Sequence, residues 1–152
     1  MSPKEHSVSS KGDPIRFDAE VERLAPEVPR FIVYSGQAWD ETATFIVEVS
    51  LNGIVIGLRS LIPWKERGWH FGLSQPMCDQ VGIETGDRVR VEMCRPADAR
   101  PNELKELLSN HPKAQKAWNA LKSGEQRDFL LFVASAKKPE TRVRRAMKLL
   151  GH

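Results

Sequence analysis

The 152-residue chain carries 23 Lys and Arg against 20 Asp and Glu, with 40% apolar and 28% charged residues; this suits one folded domain, or a small domain with an appendage, and excludes a disordered chain. No stretch approaches the ~18 apolar residues of a membrane span, and the N-terminus lacks the apolar run of a signal or transit peptide, so no membrane insertion and a cytoplasmic location are expected. Cys78 and Cys94 show no CxxC spacing and read as two small buried hydrophobes in a reducing compartment.

Met1 to Pro14 is polar and is expected to be a disordered leader. A β-barrel domain is expected over residues 15–97. From Ile15 the apolar period is two: Phe17, Ala19 and Val21 alternate with Asp18, Glu20 and Glu22, as in a strand with one wet face, until Pro26 and Pro29 end it. Arg30 to Tyr34 and Thr44 to Leu51 form the next strands. Asn52-Gly53 supplies the positive φ pair of a type I′ turn, which predicts that Ile54 to Leu61 folds back as a hairpin strand. A loop through Pro63, Trp64 and Gly68 then leads to a short strand, Trp69 to Leu73, and to a helical turn over Pro76 to Val81. Gly86-Asp87 turns the chain into a last strand with Val89, Val91 and Met93 inward. Short strands joined by tight turns predict a small barrel of about six strands, since closure removes exposed edges.

A basic helical tail is expected over residues 98–152. Leu104, Leu107 and Leu108 follow Pro101; Ala114, Ala117, Trp118 and Leu121 keep the same spacing. Ser123 and Gln126 have the form of a capping box opening a third helix with Phe129, Phe132, Val133 and Ala136 on one face. A fourth helix is expected from Pro139 to Leu150, closed by Gly151, with Val143, Ala146, Met147 and Leu150 as its core stripe. The predicted class is therefore α+β: a β-barrel followed by a bundle of about four short helices. Charge follows the same division. Residues 15–98 have nine basic against 13 acidic side chains, and residues 99–152 have 12 against five, a net of +7. Opposite fields suit either mutual attraction of the halves or a tail that meets an anionic partner.

The closing segment RDFLLFVASAKKPETRVRRAMKLL resembles the C-terminal signature of the bacterial bacteriocin-protection (YdeI/OmpD-associated, OmdA) family, through Ala136, Lys137, Glu140, Thr141, Arg142, Arg144 and Arg145. PNELKELLSNHPKAQKAWNAL fits the helices that precede that signature. The front, through LNGIVIGLRSLIP and VGIETGDRVRVEM, is similar to the uncharacterised domain found ahead of such tails, a double-split β-barrel of the kind that also hosts AbrB-type regulators. Ser35 to Thr42 departs from that pattern. The resemblance implies a link to bacterial envelope or bacteriocin stress, and it carries no catalytic residue over.

No Gly-rich phosphate loop, GxSxG elbow, HExxH or Cys/His metal spacing is present, so no catalytic residue, metal ligand or cofactor is assigned. Of His6, His70, His111 and His152, only His70, beside Trp69 and near Trp64, is expected in an aromatic surround, as a packed or rim residue. Asp18, Glu20 and Glu22 are explained by alternation on a wet face. The binding candidates are Arg59, Trp64 and His70, which together can line a groove, and the tail cations Lys137, Lys138, Arg142, Arg144 and Arg145. Lys138, Arg142 and Arg145 fall at i, i+4 and i+7, forming a stripe away from Val143 and Met147 that either binds an anion or is paired internally; Arg142 is also a candidate clamp on the acidic barrel. The expectation is a non-enzymatic binding protein for an unidentified protein or anionic ligand, as monomer or homodimer. A nucleic-acid-binding regulator using the tail is the second reading, and an enzyme with a site around His70 the third.

Overall fold

Each alternating segment is a strand: β1 (Ile15–Glu20), β2 (Arg30–Tyr34), β3 (Phe45–Leu51), β4 (Ile54–Trp64), β5 (Gly68–Leu73) and β6 (Arg88–Cys94). This computed structural model describes Gly12 to Gly151; His6 and the rest of Met1 to Lys11, the larger part of the expected leader, and His152 lie outside the described residues. The chain divides into two compact units, one through Ala97 and one from Asp98.

In the first unit the strands form one antiparallel sheet in the order β1-β6-β3-β4-β5-β2. A backbone bridge between Glu22 and Phe31, with N···O distances of 3.0 and 2.9 Å, brings the two outer strands together, so the six-stranded barrel is nearly closed. The expected barrel is borne out. Its interior is filled by the inward set of each strand, including Val21, Ile32, Val47, Val49, Leu51, Leu61, Phe71, Leu73, Val91 and Met93, all at most 1% exposed. Each such side chain contributes about 1.5–3 kcal/mol when buried. Asn52 and Gly53 have φ of 52° and 83°, as the predicted type I′ hairpin requires.

Two local readings are corrected here. Trp64 is not in a loop: β4 runs on through Ile62, Pro63 and Trp64, which pair with His70, Trp69 and Gly68 of β5. The β3 ladder ends at Leu61, so Pro63 lies beyond it, where the missing N–H of a proline can be accommodated. The hairpin closes at Gly68, with φ of 102°, where a Cβ would meet the Tyr34 carbonyl oxygen at 2.5 Å. The cysteines are unbridged, but only Cys78 is buried; Cys94 is half-buried at the end of β6. The helical turn after β5 is a helix, α1 (Gln75–Val81), capped by Ser74 Oγ accepting from the Met77 N–H at 3.3 Å.

The second unit contains α2 (Asn102–Asn110), α3 (Pro112–Ala120), α4 (Ser123–Ala134), α5 (Pro139–Ala146) and a 3-10 turn, Met147–Leu150. The expected fourth helix thus tightens in its last turn before Gly151 ends it with φ of 85°. The capping box is shifted by one residue. Lys122 is the N-cap, and Glu125 Oε1 accepts from its N–H at 2.8 Å. Gln126 instead donates to the Trp118 carbonyl at the end of α3, 2.9 Å away. Leu104, Leu108, Ala114, Trp118, Leu130, Val133, Ala136 and Ala146 are the buried apolar residues of this unit.

The core stripe of α5 is also corrected. Ala146 is buried and Leu150 half-buried, but Val143 and Met147 remain 44% and 41% exposed. The helix is rotated toward its arginines. Arg142 and Arg145 are half-buried because their heads reach acceptors on neighbouring segments while their stems lie along the protein.

Candidate functional site

Strands β2, β5 and β4 bring three rings to one side of the barrel wall. Phe31 stands opposite Gly72, and His70 opposite both Val33 and Ile62; Trp64 stands opposite Gly68. Directly opposed residues of an antiparallel pair, and residues two apart along a strand, project from the same side of the sheet. Phe31 and Trp64 have ring centroids 5.6 Å apart, Trp64 and His70 5.2 Å, and Phe31 and His70 6.4 Å, the last two edge-on. Burial pushes the His70 imidazole below its usual value, so it is neutral at neutral pH.

Trp64 is held from another direction by Arg67, whose guanidinium lies 5.2 Å from the ring centroid. Arg67 is itself fixed by two hydrogen bonds to Glu22, of 2.8 and 2.7 Å. The pairing holds the Glu22 carboxyl below its usual value. Glu22, just past β1, is thus the counterion of Arg67, and Asp18 on β1 pairs with Arg90 at 3.6 Å.

Arg59 differs from these arginines. It lies in β4 opposite Val47, and its Nη2 would be 3.6 Å from a methyl group placed on Gly72, the residue facing Phe31. Its Nε is buried with no hydrogen-bond partner among the described residues. Burial pulls its guanidinium below the usual arginine value. The Arg59 Nε is thus desolvated and without a hydrogen-bond partner among the described residues, and the head lies near Gly72, the residue across the β2–β5 ladder from Phe31, whose ring contacts Trp64 and a neutral His70. An arginine head in this state is suited to a planar or tetrahedral oxyanion. Trp64 and His70 are brought together with Phe31, the member that sequence reasoning missed, whereas Arg59 leaves β4 on the side of Val47 and Leu61 and only its head reaches the Gly72 position. Gly72 was the available signal, because a glycine inside the aromatic strand WHFGL marks a close approach by another group.

The tail cations divide into two groups. Arg142 donates from Nε and Nη2 to the two oxygens of Glu103 on α2, at 3.0 and 3.1 Å. Its Nη1 donates to the Ala136 and Lys137 carbonyls at 2.9 and 3.1 Å. It is a clamp, and its partners are α2 and the α4–α5 link within the helical unit. Arg145 donates to the Phe132 carbonyl and Ser135 Oγ, at 2.8 and 2.9 Å, and lies over the Phe132 ring at 4.8 Å. Lys137, Lys138 and Arg144 are exposed, and among the described residues Arg144 reaches Thr141 Oγ1, at 3.4 Å. The expected stripe of Lys138, Arg142 and Arg145 is consequently split between solvent and internal acceptors.

Residues 100–152 match the model of the family described as Bacteriocin-protection, YdeI or OmpD-Associated. This YdeI/OmpD-associated match spans the helical unit from just after Asp98 and includes the Arg142 clamp and its partner Glu103. The β unit lies outside the matched residues. No curated protein matches the chain. Among the described residues no helix is long and apolar enough to cross a membrane, and no three His, Cys, Asp or Glu side chains converge as metal ligands would.

Proposed function

We propose that the chain is a cytoplasmic binding protein that works by recognition rather than turnover, and that its β unit takes the carboxylate or phosphate of a ligand at Arg59. The observation that carries this reading is the buried Arg59 Nε without a partner. Leaving a buried donor unpaired costs about 1–3 kcal/mol, and more for a charged group, so an anion arriving there recovers an interaction the free protein lacks. The half-buried ring of Trp64, backed by the buried Phe31, offers an apolar face to the body of a ligand, and neutral His70 offers one donor and one acceptor.

Nucleic-acid binding by the tail has less support. Two of its five candidate cations, Arg142 and Arg145, are engaged with internal acceptors, while affinity for a polyanion rests on the number of free cations. The family description of residues 100–152 supplies the proposed setting, protection of a bacterial cell against bacteriocins.

The test is titration of the full chain with inorganic phosphate, benzoate and phenyl phosphate, followed by NMR of the arginine Nε–Hε and histidine ring signals. The Arg59 Nε–Hε and His70 signals are expected to shift saturably, the aromatic anions to bind more tightly than phosphate, and Arg59→Met to abolish the response. Unmoved Arg59 signals with all three anions, or an unchanged response in Arg59→Met, would refute the site.

A further inference from the structure

Two arginines of this chain show what a guanidinium edge holds when its Nε and Nη2 are both used. Arg142 donates from these atoms to the two oxygens of Glu103, at 3.0 and 3.1 Å, and Arg100 does the same to the two oxygens of Asp98, both at 3.0 Å. Each holds a carboxylate side-on. In Arg59 the Nε of the same edge is buried without an acceptor among the described residues, and Nη2 lies 3.6 Å from where a methyl group on Gly72 would stand. The strands part at this position. The β4–β5 ladder starts at Ile62 and His70 and does not extend to Ser60 and Gly72, whereas Gly72 and Leu73 stay paired with Phe31 and Arg30 of β2. The side chains that flank it along the strands are apolar: Val47 stands opposite Arg59, and Val47, Leu61, Phe71 and Leu73 are at most 1% exposed.

Resting on the anion site proposed at Arg59, we infer that the group it takes is a carboxylate, held side-on by Nε–H and Nη2–H, and that the site rejects phosphate dianions. The local charge is single. Burial is the one cause that lowers the Arg59 guanidinium, with no other charge acting on it. The neighbouring cation is committed elsewhere: Arg30, whose carbonyl oxygen would lie 3.9 Å from the same Gly72 methyl group, donates to Thr85 Oγ1 and Gln75 Oε1 at 3.0 and 2.8 Å and lies 3.9 Å from Glu84. His70 is neutral and adds no charge. One guanidinium neutralises one carboxylate, as Arg142 does Glu103. A phosphate monoester brings nearly a second negative charge at neutral pH, and that charge would be taken out of water with nothing to balance it.

Titration of the full chain with benzoate, phenyl phosphate and phenyl sulfate at about pH 7.5, read on the Arg59 Nε–Hε signal, tests this; the sulfate ester has the shape of the phosphate ester but a single charge. Benzoate is expected to bind tightest, phenyl sulfate next, and phenyl phosphate at least about tenfold more weakly than benzoate. Arg59→Lys keeps the charge and removes the two-donor edge, so it should lose at least about tenfold in benzoate affinity. Phenyl phosphate binding as tightly as benzoate would overturn the inference and leave the anion site standing. Phenyl sulfate as weak as phenyl phosphate would overturn the charge argument, and undiminished benzoate binding by a folded Arg59→Lys would overturn the side-on contact. Silence with all three anions would remove the anion site itself. If the lysine variant does not fold, the order of the three anions on the wild-type chain still decides.

Discussion

Replacing Arg142 by Met removes four hydrogen bonds at once: two to Glu103 and two to the carbonyls that end the α4–α5 link. A hydrogen bond to a charged group contributes about 1.5–3 kcal/mol net when shielded, and exposed ion pairs contribute less than about 1 kcal/mol. The Arg142 and Glu103 side chains are 23% and 18% exposed, between these limits. Loss of the clamp is therefore expected to lower the stability of the helical unit by about 2–3 kcal/mol, with Glu103→Gln costing about half as much because the amide oxygen still accepts. Urea unfolding followed by circular dichroism at the helical band measures both changes. Arg144→Met is the control, since its exposed head donates a long 3.4 Å hydrogen bond to Thr141 Oγ1, and it should fall within about 0.5 kcal/mol of the wild type.

The same clamp has a pH signature. Hydrogen bonding to Arg142 holds the Glu103 carboxyl below its ordinary value. The stabilisation is thus fully present above the unfolded-state value and is lost as pH falls through the lowered folded-state value. Arg142→Met should flatten this acid limb while leaving the neutral-pH baseline displaced. Equal midpoints for Arg142→Met and Arg144→Met, or an acid limb unchanged by Arg142→Met, would show that the clamp carries no stability.

Arg59→Met is expected to stabilise the β unit by about 1–2 kcal/mol in urea, because it exchanges an unpaired, desolvated cation for an apolar side chain of similar length; a destabilisation of the same size would show that the guanidinium already has an adequate partner. His70→Phe bears on pH. Burial holds His70 below the ordinary imidazole value in the folded state, so its neutral form contributes stability that is complete above the unfolded-state value and is lost as pH falls through the lowered folded-state value, and the Phe variant should lose that limb in thermal melts from about pH 7.5 to 5. Gly72→Val should weaken the anion response of Arg59 several-fold with little change in the melting of the helical unit, because its branched side chain needs the space beside Nη2; an unaltered titration would remove Gly72 from the site.

The strands were legible because their information is local. Alternation in IRFDAE and RVRVEM, and Asn52-Gly53 between two β-branched runs, need no distant partner to be read, and they fall where the barrel requires. Trp64 was assigned to a loop because Pro63 argues against a strand, and only the end of β3 pairing at Leu61 shows why proline fits there. The outward reading of Val143 and Met147 was missed for a related reason. Apolar spacing alone puts them inward with Ala146, but the rotation of α5 is set by Glu103, nearly forty residues upstream, which draws Arg142 onto the packed side.

The arginines show why function was harder to read than fold. Arg59, Arg67, Arg142 and Arg145 are equivalent as letters, and net charge treats them alike. Three of them have acceptors that lie far from them in sequence or that are carbonyls without a side-chain signature: Glu22 for Arg67, Glu103 with two link carbonyls for Arg142, and the Phe132 carbonyl with Ser135 for Arg145. Those three hold the fold together. Arg59 is distinguished by what it does not touch, a property that appears only once its surroundings are assembled and Gly72 is found to leave its head room. A positive charge is a weak pointer to a ligand, whereas a buried arginine Nε with no acceptor among the described residues is a stronger one. For that reason the candidate site belongs on the barrel wall and not on the more basic tail.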